Sequence, residues 1–326
     1  MSSVGFNKGR PAHFMVKCAC VTEIRHLIGR RGHASRRLST TMAASALERF
    51  LGLFKHKSGN VIGMIHLRAI PGTPRSSHKV QEIVDIACRE ALFYREAGLD
   101  GIMLENMHDV PYLHTSQVGP EVTSVMSVVA YEVKRIFSPG PVGVQVLAGA
   151  NKEALAVAKA AGLQFIRAEG FVFSHVADEG IMNACAGELM RYRKNIDAEN
   201  IMVLTDIKKK HSAHAVTSDV DIVSTAQAAE FFLSDGVIVT GGATGHAASV
   251  AEVKAVLGGV NIPVLVGSGV TKDNYHLYRQ AHGLIVGSDF KWNGNWQENI
   301  YSSRVKAFME NVSSVRHIPV ESTMIV

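Results

Sequence analysis

The sequence predicts a (β/α)8 barrel, the TIM-barrel fold, on three observations. Eight short runs rich in Val, Ile and Leu follow one another from residue 61, and patterns of helical period fill the spaces between them. Each run is also too continuously apolar for a sheet with one face in water. Strands covered on both faces and alternating with helices define a parallel sheet. Eight such units in about 250 residues is the number that closes a barrel. An open doubly wound sheet is the rival arrangement, but it has fewer strands and leaves two edges to protect.

The elements follow in order. "LERFLGLF" (47–54) reads as a short helix that plugs the bottom of the barrel. The strands are "VIGMIHL" (61–67), "GIMLEN" (101–106), "VGVQVLA" (142–148), "FIRAEG" (165–170), "IMVLTDI" (201–207), "GVIVTG" (236–241), "PVLVGSG" (263–269) and "GLIVGS" (283–288). Helical periodicity marks "VQEIVDIACREALFYREAG" (80–98), "NKEALAVAKAAG" (151–162) and "TAQAAEFFLSDG" (225–236), each ending at a glycine able to cap it. One short helix fits between the last two strands, and "QENIYSSRVKAFMENV" (297–312) supplies the last outer helix. The organisation expected is a basic leader over 1–48, one barrel domain over 49–314 and a C-terminal tail over 315–326.

Charge separates the leader from the rest. Residues 1–48 hold eight Lys or Arg against Glu23 and Glu48, which leaves 26 basic and 27 acidic residues in the remainder. A near-neutral body argues against a nucleic-acid-binding surface, and no apolar run reaches the roughly 18 residues of a membrane span. The stretch "RHLIGRRGHASRRLSTTMAASA" (25–46) is rich in Arg, Ser and Ala and lacks acidic residues. That composition fits a mitochondrial transit peptide and a matrix location. A disordered basic tail, or an in-frame extension ahead of a start at Met42 with a cytoplasmic product, is the alternative. Cys18, Cys20, Cys88 and Cys185 are too few and scattered for a disulfide framework. Cys88 and Cys185 are expected as buried thiols in helices.

In a barrel the strand C-terminal ends and the loops after them form the active face, so polar residues there carry the information. Those ends bring His66, Glu105, Asn106, Arg167, Glu169 and Asp206 to one mouth. Some are expected to pair there, Arg167 with Glu105 or Glu169 for example. "GSG" at Gly267, Ser268 and Gly269, with "GS" at Gly287 and Ser288, exposes backbone N–H groups at the seventh and eighth ends. A short helix expected within 289–294 would add its N-terminal end, and together these would hold a phosphate. "TDIKKKHSAH" (205–214) sets Lys208 two residues after Asp206, on the same side of an extended chain, with His211 and His214 beyond. An Asp, Lys and His cluster suits proton transfer. Ligation of a divalent metal by Asp206, His211 and His214 is the weaker alternative, since no zinc-type spacing is present. Glu105 offers a second acid or base, and "VTGGATG" (239–245) is a ligand loop without the pattern of a P-loop.

These stretches resemble the BtpA family, which is named for a cyanobacterial photosystem I biogenesis protein and includes SgcQ-like proteins from bacterial sugar operons. The resemblance covers residues 61 to about 310. It rests on "GMIHLRAIPGTP" (63–74), "ENMHDVP" (105–111), "FIRAEGF" (165–171), "TDIKKKHSAH", "VTGGATG", "GSGVTKDN" (267–274) and "GLIVGSDFK" (283–291), in that order. It implies a barrel of the ribulose-phosphate-binding type, but no settled reaction. The function expected is an enzyme acting on a phosphorylated small metabolite, an isomerase, lyase or hydrolase, with Glu105, Asp206 and Lys208 as its catalytic groups. A noncatalytic assembly or stability factor that keeps the barrel as a ligand-sensing scaffold is the other class. A phosphorylated small molecule is the partner expected; the sequence leaves homo-oligomer formation and metal dependence open.

Overall fold

The computed structural model describes residues 44–316. Eight parallel strands close into a barrel: Asn60–His66, Gly101–Glu105, Val142–Gln145, Phe165–Ala168, Met202–Ile207, Gly236–Val239, Val264–Val266 and Gly283–Val286. They are called strands one to eight below. Each pairs with its sequence neighbours, and strand one closes the ring against strand eight. Every strand residue is buried, as a sheet with side chains inside and helices outside requires. The closed parallel ring is the one the apolar runs predict. Residues 1–43 of the basic leader and the tail after residue 316 lie outside the described residues, as do Cys18, Cys20 and Met42.

Phe50, Phe54, Ile62, Met64, Met103, Phe165, Met202, Leu204, Ile238, Leu265 and Ile285 fill the inside of the barrel. The first two come from the helix Ala46–Leu53 and the residue that ends it. Ser45 and Glu48 cap that helix reciprocally, each side chain bonding the other's backbone N–H. This helix therefore begins ahead of the boundary that composition places at 48. Phe50 and Phe54 stack with ring centroids 4.4 Å apart. A Cβ on Gly101, at the entry to strand two, would lie 2.8 Å from the Phe54 ring. The helix thus closes the bottom, and the opposite end is left for chemistry.

The outer helices bury apolar faces against the sheet. In Val80–Glu96 those are Ile83, Val84, Ala87, Ala91 and Tyr94; in Pro120–Phe137 they include Val122, Val125, Met126, Val129 and Val133. Asn151–Ala161 stops at Gly162, whose φ of 69° is the left-handed conformation suited to glycine. The short helix Tyr275–Tyr278 joins strands seven and eight, and Ser302–Arg316 is the last outer helix. Residues 297–301, read from sequence as its first turn, belong instead to the loop that crosses the mouth. Cys88 is half-buried in its helix, whereas Cys185 sits just before Ala186–Asn195, not inside a helix.

Seven strands stop short of their apolar runs, five of them by two or three residues, at Gln145, Ala168, Val239, Val266 and Val286. The remaining residues of each run peel away from the barrel and become the mouth. A three-stranded antiparallel sheet of His175–Ala177, Gly180–Met182 and Ser212–Ala213 also forms there, from the loops after strands four and five. Among the described residues no helix is long and apolar enough to cross a membrane.

Candidate functional site

Register builds the top layer. His66 of strand one stands beside Glu105 of strand two, which stands beside Gln145 of strand three. His66 Nε2 lies 3.9 Å from Glu105 Oε2, and its Nδ1 is 3.3 Å from the Trp296 carbonyl. Arg167, from strand four, bonds Asp206 of strand five through Nε and Nη2, both at 2.9 Å. Their side chains are 3% and 1% exposed. The Asp206 carboxylate is thus committed to an internal ion pair, with Arg167 the cation that neighbours the mouth. Arg167 pairs with Asp206 rather than with Glu105 or Glu169.

The three lysines after strand five diverge. Lys208 has a φ of 46°, which ends the strand alternation, and its Nζ donates to the Thr217 carbonyl at 2.8 Å. Lys209 Nζ bonds Glu169 Oε1 at 3.2 Å, both side chains being buried. Lys210 donates its backbone N–H to Thr240 Oγ1 at 3.0 Å and turns its side chain to the mouth. His211 Nε2 meets Thr244 Oγ1 at 2.9 Å and ties the loop after strand five to the glycine-rich loop after strand six. His214 donates from Nε2 to the Lys209 carbonyl at 2.9 Å and belongs to a separate small crevice with Asp206, Lys208 and His175. Asn106 accepts from the Leu147 N–H and donates to Asp109, so it clamps two loops. Among the described residues no three His, Cys, Asp or Glu side chains gather as a metal set.

Two cavities open at the mouth and share Glu105, Met107, Arg167, Lys210 and Thr244. The first, of about 270 Å³, reaches the seventh and eighth strand ends and is lined by Gly267, Ser268, Gly269, Gly287 and Ser288, with His66 and Arg304. The second, of about 350 Å³, runs toward Tyr112, Leu147, Glu169 and Trp296. Glu105 thus sits where the two lobes meet, while Asp206 and Lys208 line neither.

The glycine turns are close-packed. Gly269 has a φ of 68°, and a Cβ there would lie 2.3 Å from the Ala247 backbone nitrogen. Ser268 Oγ accepts from the Gly241 N–H at 2.7 Å and donates to the His246 carbonyl at 2.9 Å, which fastens loop six onto loop seven. The Gly267 N–H is taken by the Val239 carbonyl. Among the described residues no backbone acceptor serves the N–H of Ser268, Gly269, Gly287 or Ser288. The helix expected within 289–294 is two single 3-10 turns, Ser288–Phe290 and Trp292–Gly294, too short for an appreciable dipole. A cation is supplied instead by Arg304 of the last helix. Asp289 holds it, its carbonyl accepting from Nε at 2.7 Å and its carboxylate from Nη2 at 2.9 Å. Neither Arg304 nor Lys210 was singled out by sequence reasoning.

Burial sets the proton affinities of the mouth. It pushes the Glu105 carboxyl up, against the opposing pull of Arg167 and Lys210. It holds His66 well below the ordinary imidazole value, helped by Lys291 and His108. Lys210 is lowered, by burial first and then by Arg167. Burial works in the opposite direction on Glu169, but Lys209 and Arg167 outweigh it and leave that carboxyl lowered. A protonatable carboxyl, a neutral imidazole and a weakened ammonium therefore face one space, beside an ionised carboxylate held by Lys209. Such separation of proton affinities among neighbours is what acid and base duties require.

The fold and mouth define a closed (β/α)8 barrel with a charged, two-lobed opening at its C-terminal face. The chain belongs to the BtpA family, whose pattern matches residues 57–314. It is 50% identical over 260 residues to an uncharacterized mitochondrial protein of Caenorhabditis elegans, covering 78% of this chain and 94% of that one. It is 32% identical over 268 residues to the photosystem I biogenesis protein BtpA of Synechocystis, covering 81% and 92%. A similar solved structure is the (S)-3-O-geranylgeranylglyceryl phosphate synthase of Thermoplasma acidophilum, in complex with its substrate sn-glycerol-1-phosphate. The TM-score is 0.52 at 17% identity, over 83% of this chain and all of the other. That likeness shows the barrel.

Proposed function

We propose that this chain is an enzyme of the ribulose-phosphate-binding type that acts on a phosphorylated small metabolite. One observation carries the reading: a single opening joins the glycine turns and Arg304 to Glu105, His66 and Lys210. The N–H groups of residues 268, 269, 287 and 288, with the Arg304 guanidinium, would receive the phosphate. Glu105 and Lys210, brought toward neutral pH from opposite sides, would exchange protons with the reacting end. A phosphate fixed remotely lends its binding energy to orienting that end. In this reading Asp206 positions Arg167, and Lys208 stays outside the chemistry.

Thermal denaturation in the presence of glycerol phosphate, ribose 5-phosphate and a nucleoside monophosphate tests binding. Ligand at a hundred times its Kd stabilises by about 2.7 kcal/mol. That is a rise of roughly 5–10 °C for a domain of this size. Arg304→Met should reduce the shift for whichever compound gives it. No shift with any phosphorylated compound removes the reading. If Glu105→Gln together with Lys210→Met leaves cellular function intact, the barrel is a scaffold and not an enzyme. We also assign the part of the 1–48 segment ahead of the Ser45 cap as a matrix-targeting leader, supported by its composition and by the mitochondrial relative. A fluorescent fusion of residues 1–48 that stays cytosolic would overturn that.

A further inference from the structure

The three consecutive lysines after strand five have different fates. Lys208 and Lys209 are satisfied by the Thr217 carbonyl and the Glu169 carboxylate. Among the described residues the Lys210 ammonium has no hydrogen-bond or ion-pair partner, although the side chain is half-buried and lines both lobes of the mouth. Two of the strand-end carboxylates that could have served it are engaged elsewhere, Asp206 held bidentately by Arg167 and Glu169 by Lys209, and the third, Glu105, makes no ion pair with it. An enclosed ammonium without a counter-ion is costly, and the Arg167 guanidinium raises that cost. The arrangement favours the neutral amine, the nucleophilic form of a lysine. Glu105, which lines both lobes as Lys210 does, is a carboxyl whose proton affinity burial raises, which suits it to act as the acid.

We propose that Lys210 is a covalent catalyst, whose Nζ condenses with the carbonyl carbon of a phosphorylated aldehyde or ketone to form an imine. The inference rests on the phosphate-ligand reading of the same mouth and names the functional group the substrate must carry. In the first step the Nζ lone pair forms the C–N bond. The C=O π pair moves to oxygen, which takes the Glu105 proton. The Glu105 carboxylate then removes a proton from the positively charged nitrogen and returns it to the carbinolamine hydroxyl. That hydroxyl leaves as water as the C=N bond forms. Amine, carbonyl and carboxylic acid thus become an iminium ion, water and a carboxylate, with no oxidant or co-reactant. The iminium nitrogen draws electrons from the adjacent carbon, which eases proton removal or C–C cleavage there.

The test is reductive trapping on the full chain. The protein is incubated with dihydroxyacetone phosphate or glyceraldehyde 3-phosphate and cyanoborohydride, then mapped by peptide mass spectrometry. A reduced adduct is expected on Lys210 in preference to every other lysine, diminished by competing inorganic phosphate. The adduct should be lost in Lys210→Arg, which keeps the charge but forms no imine, while the melting temperature stays near that of wild type. Labelling spread over surface lysines and insensitive to phosphate overturns the proposal. So does the absence of any adduct. Melting curves with the same two compounds, without reductant, separate the causes of a failure. A shift without an adduct leaves phosphate binding standing and removes the imine, whereas neither shift nor adduct removes both.

Discussion

Replacing Asp206 with Asn decides whether that carboxylate holds the barrel together or serves as a free base. The substitution keeps the shape of the side chain and removes its charge. The Arg167 guanidinium then stays inside, 3% exposed, without the partner that now bonds it twice at 2.9 Å. Stranding one member of a buried pair costs about 3–5 kcal/mol. Glu105 and Glu169 also favour the Arg167 charge, so the lower end of that range applies. A loss of about 3 kcal/mol lowers the melting temperature by roughly 6–12 °C. Thermal and urea unfolding of wild type, Asp206→Asn, Arg167→Met and the Arg167→Met/Asp206→Leu double variant measure it. The double variant, with neither charge, should recover much of the loss. An Asp206→Asn protein as stable as wild type would refute the structural role and restore Asp206 as a base.

Three further outcomes follow from the same geometry. His175 is lowered from 6.5 to about 4, by burial first and then by Lys209 and His214. Its folded value lies below its unfolded one, so its contribution to stability is present above pH 6.5 and is lost as the pH falls toward 4. His175→Gln should flatten the dependence of melting temperature on pH between those limits; an unchanged slope counts against a buried neutral imidazole. Gly269→Ala forces a Cβ to 2.3 Å from the Ala247 backbone nitrogen at a φ of 68°. It should destabilise by about 2 kcal/mol and weaken any phosphate-dependent thermal shift, and a neutral result would mean that loops six and seven are not packed as described. Lys208→Met should leave that thermal shift intact while Lys210→Met diminishes it, and the reverse order would place Lys208 in the mouth.

The barrel is legible in the sequence because strands covered on both faces must be apolar at nearly every position, and helices between them keep their own period. Runs such as "PVLVGSG" also hold the positions of the glycine turns, because close backbone approach demands residues without a Cβ, as at Gly269. The site is only half legible. Alternation past Asp206 points first to Lys208, but the positive φ of Lys208 ends the strand pattern there and its ammonium turns to Thr217, while Lys210 lines the mouth. The pairing of Arg167 with Asp206 depends on which neighbouring strand supplies the partner, and composition does not carry that. Arg304 approaches the glycine turns from the last helix and is fixed by Asp289, fifteen residues earlier in the chain. The strands of the small sheet are two or three residues long, too short for any periodicity to show.

In the proposed function the seventh and eighth strand ends hold a phosphate whose remainder extends toward Glu105 and Lys210. A crystal structure of the full chain soaked with glycerol phosphate tests it most directly. Density is expected for the phosphate against the backbone of residues 268–269 and 287–288, within reach of Arg304, with the glycerol directed to Glu105. A phosphate seated elsewhere, or those turns empty at saturating ligand, would contradict it.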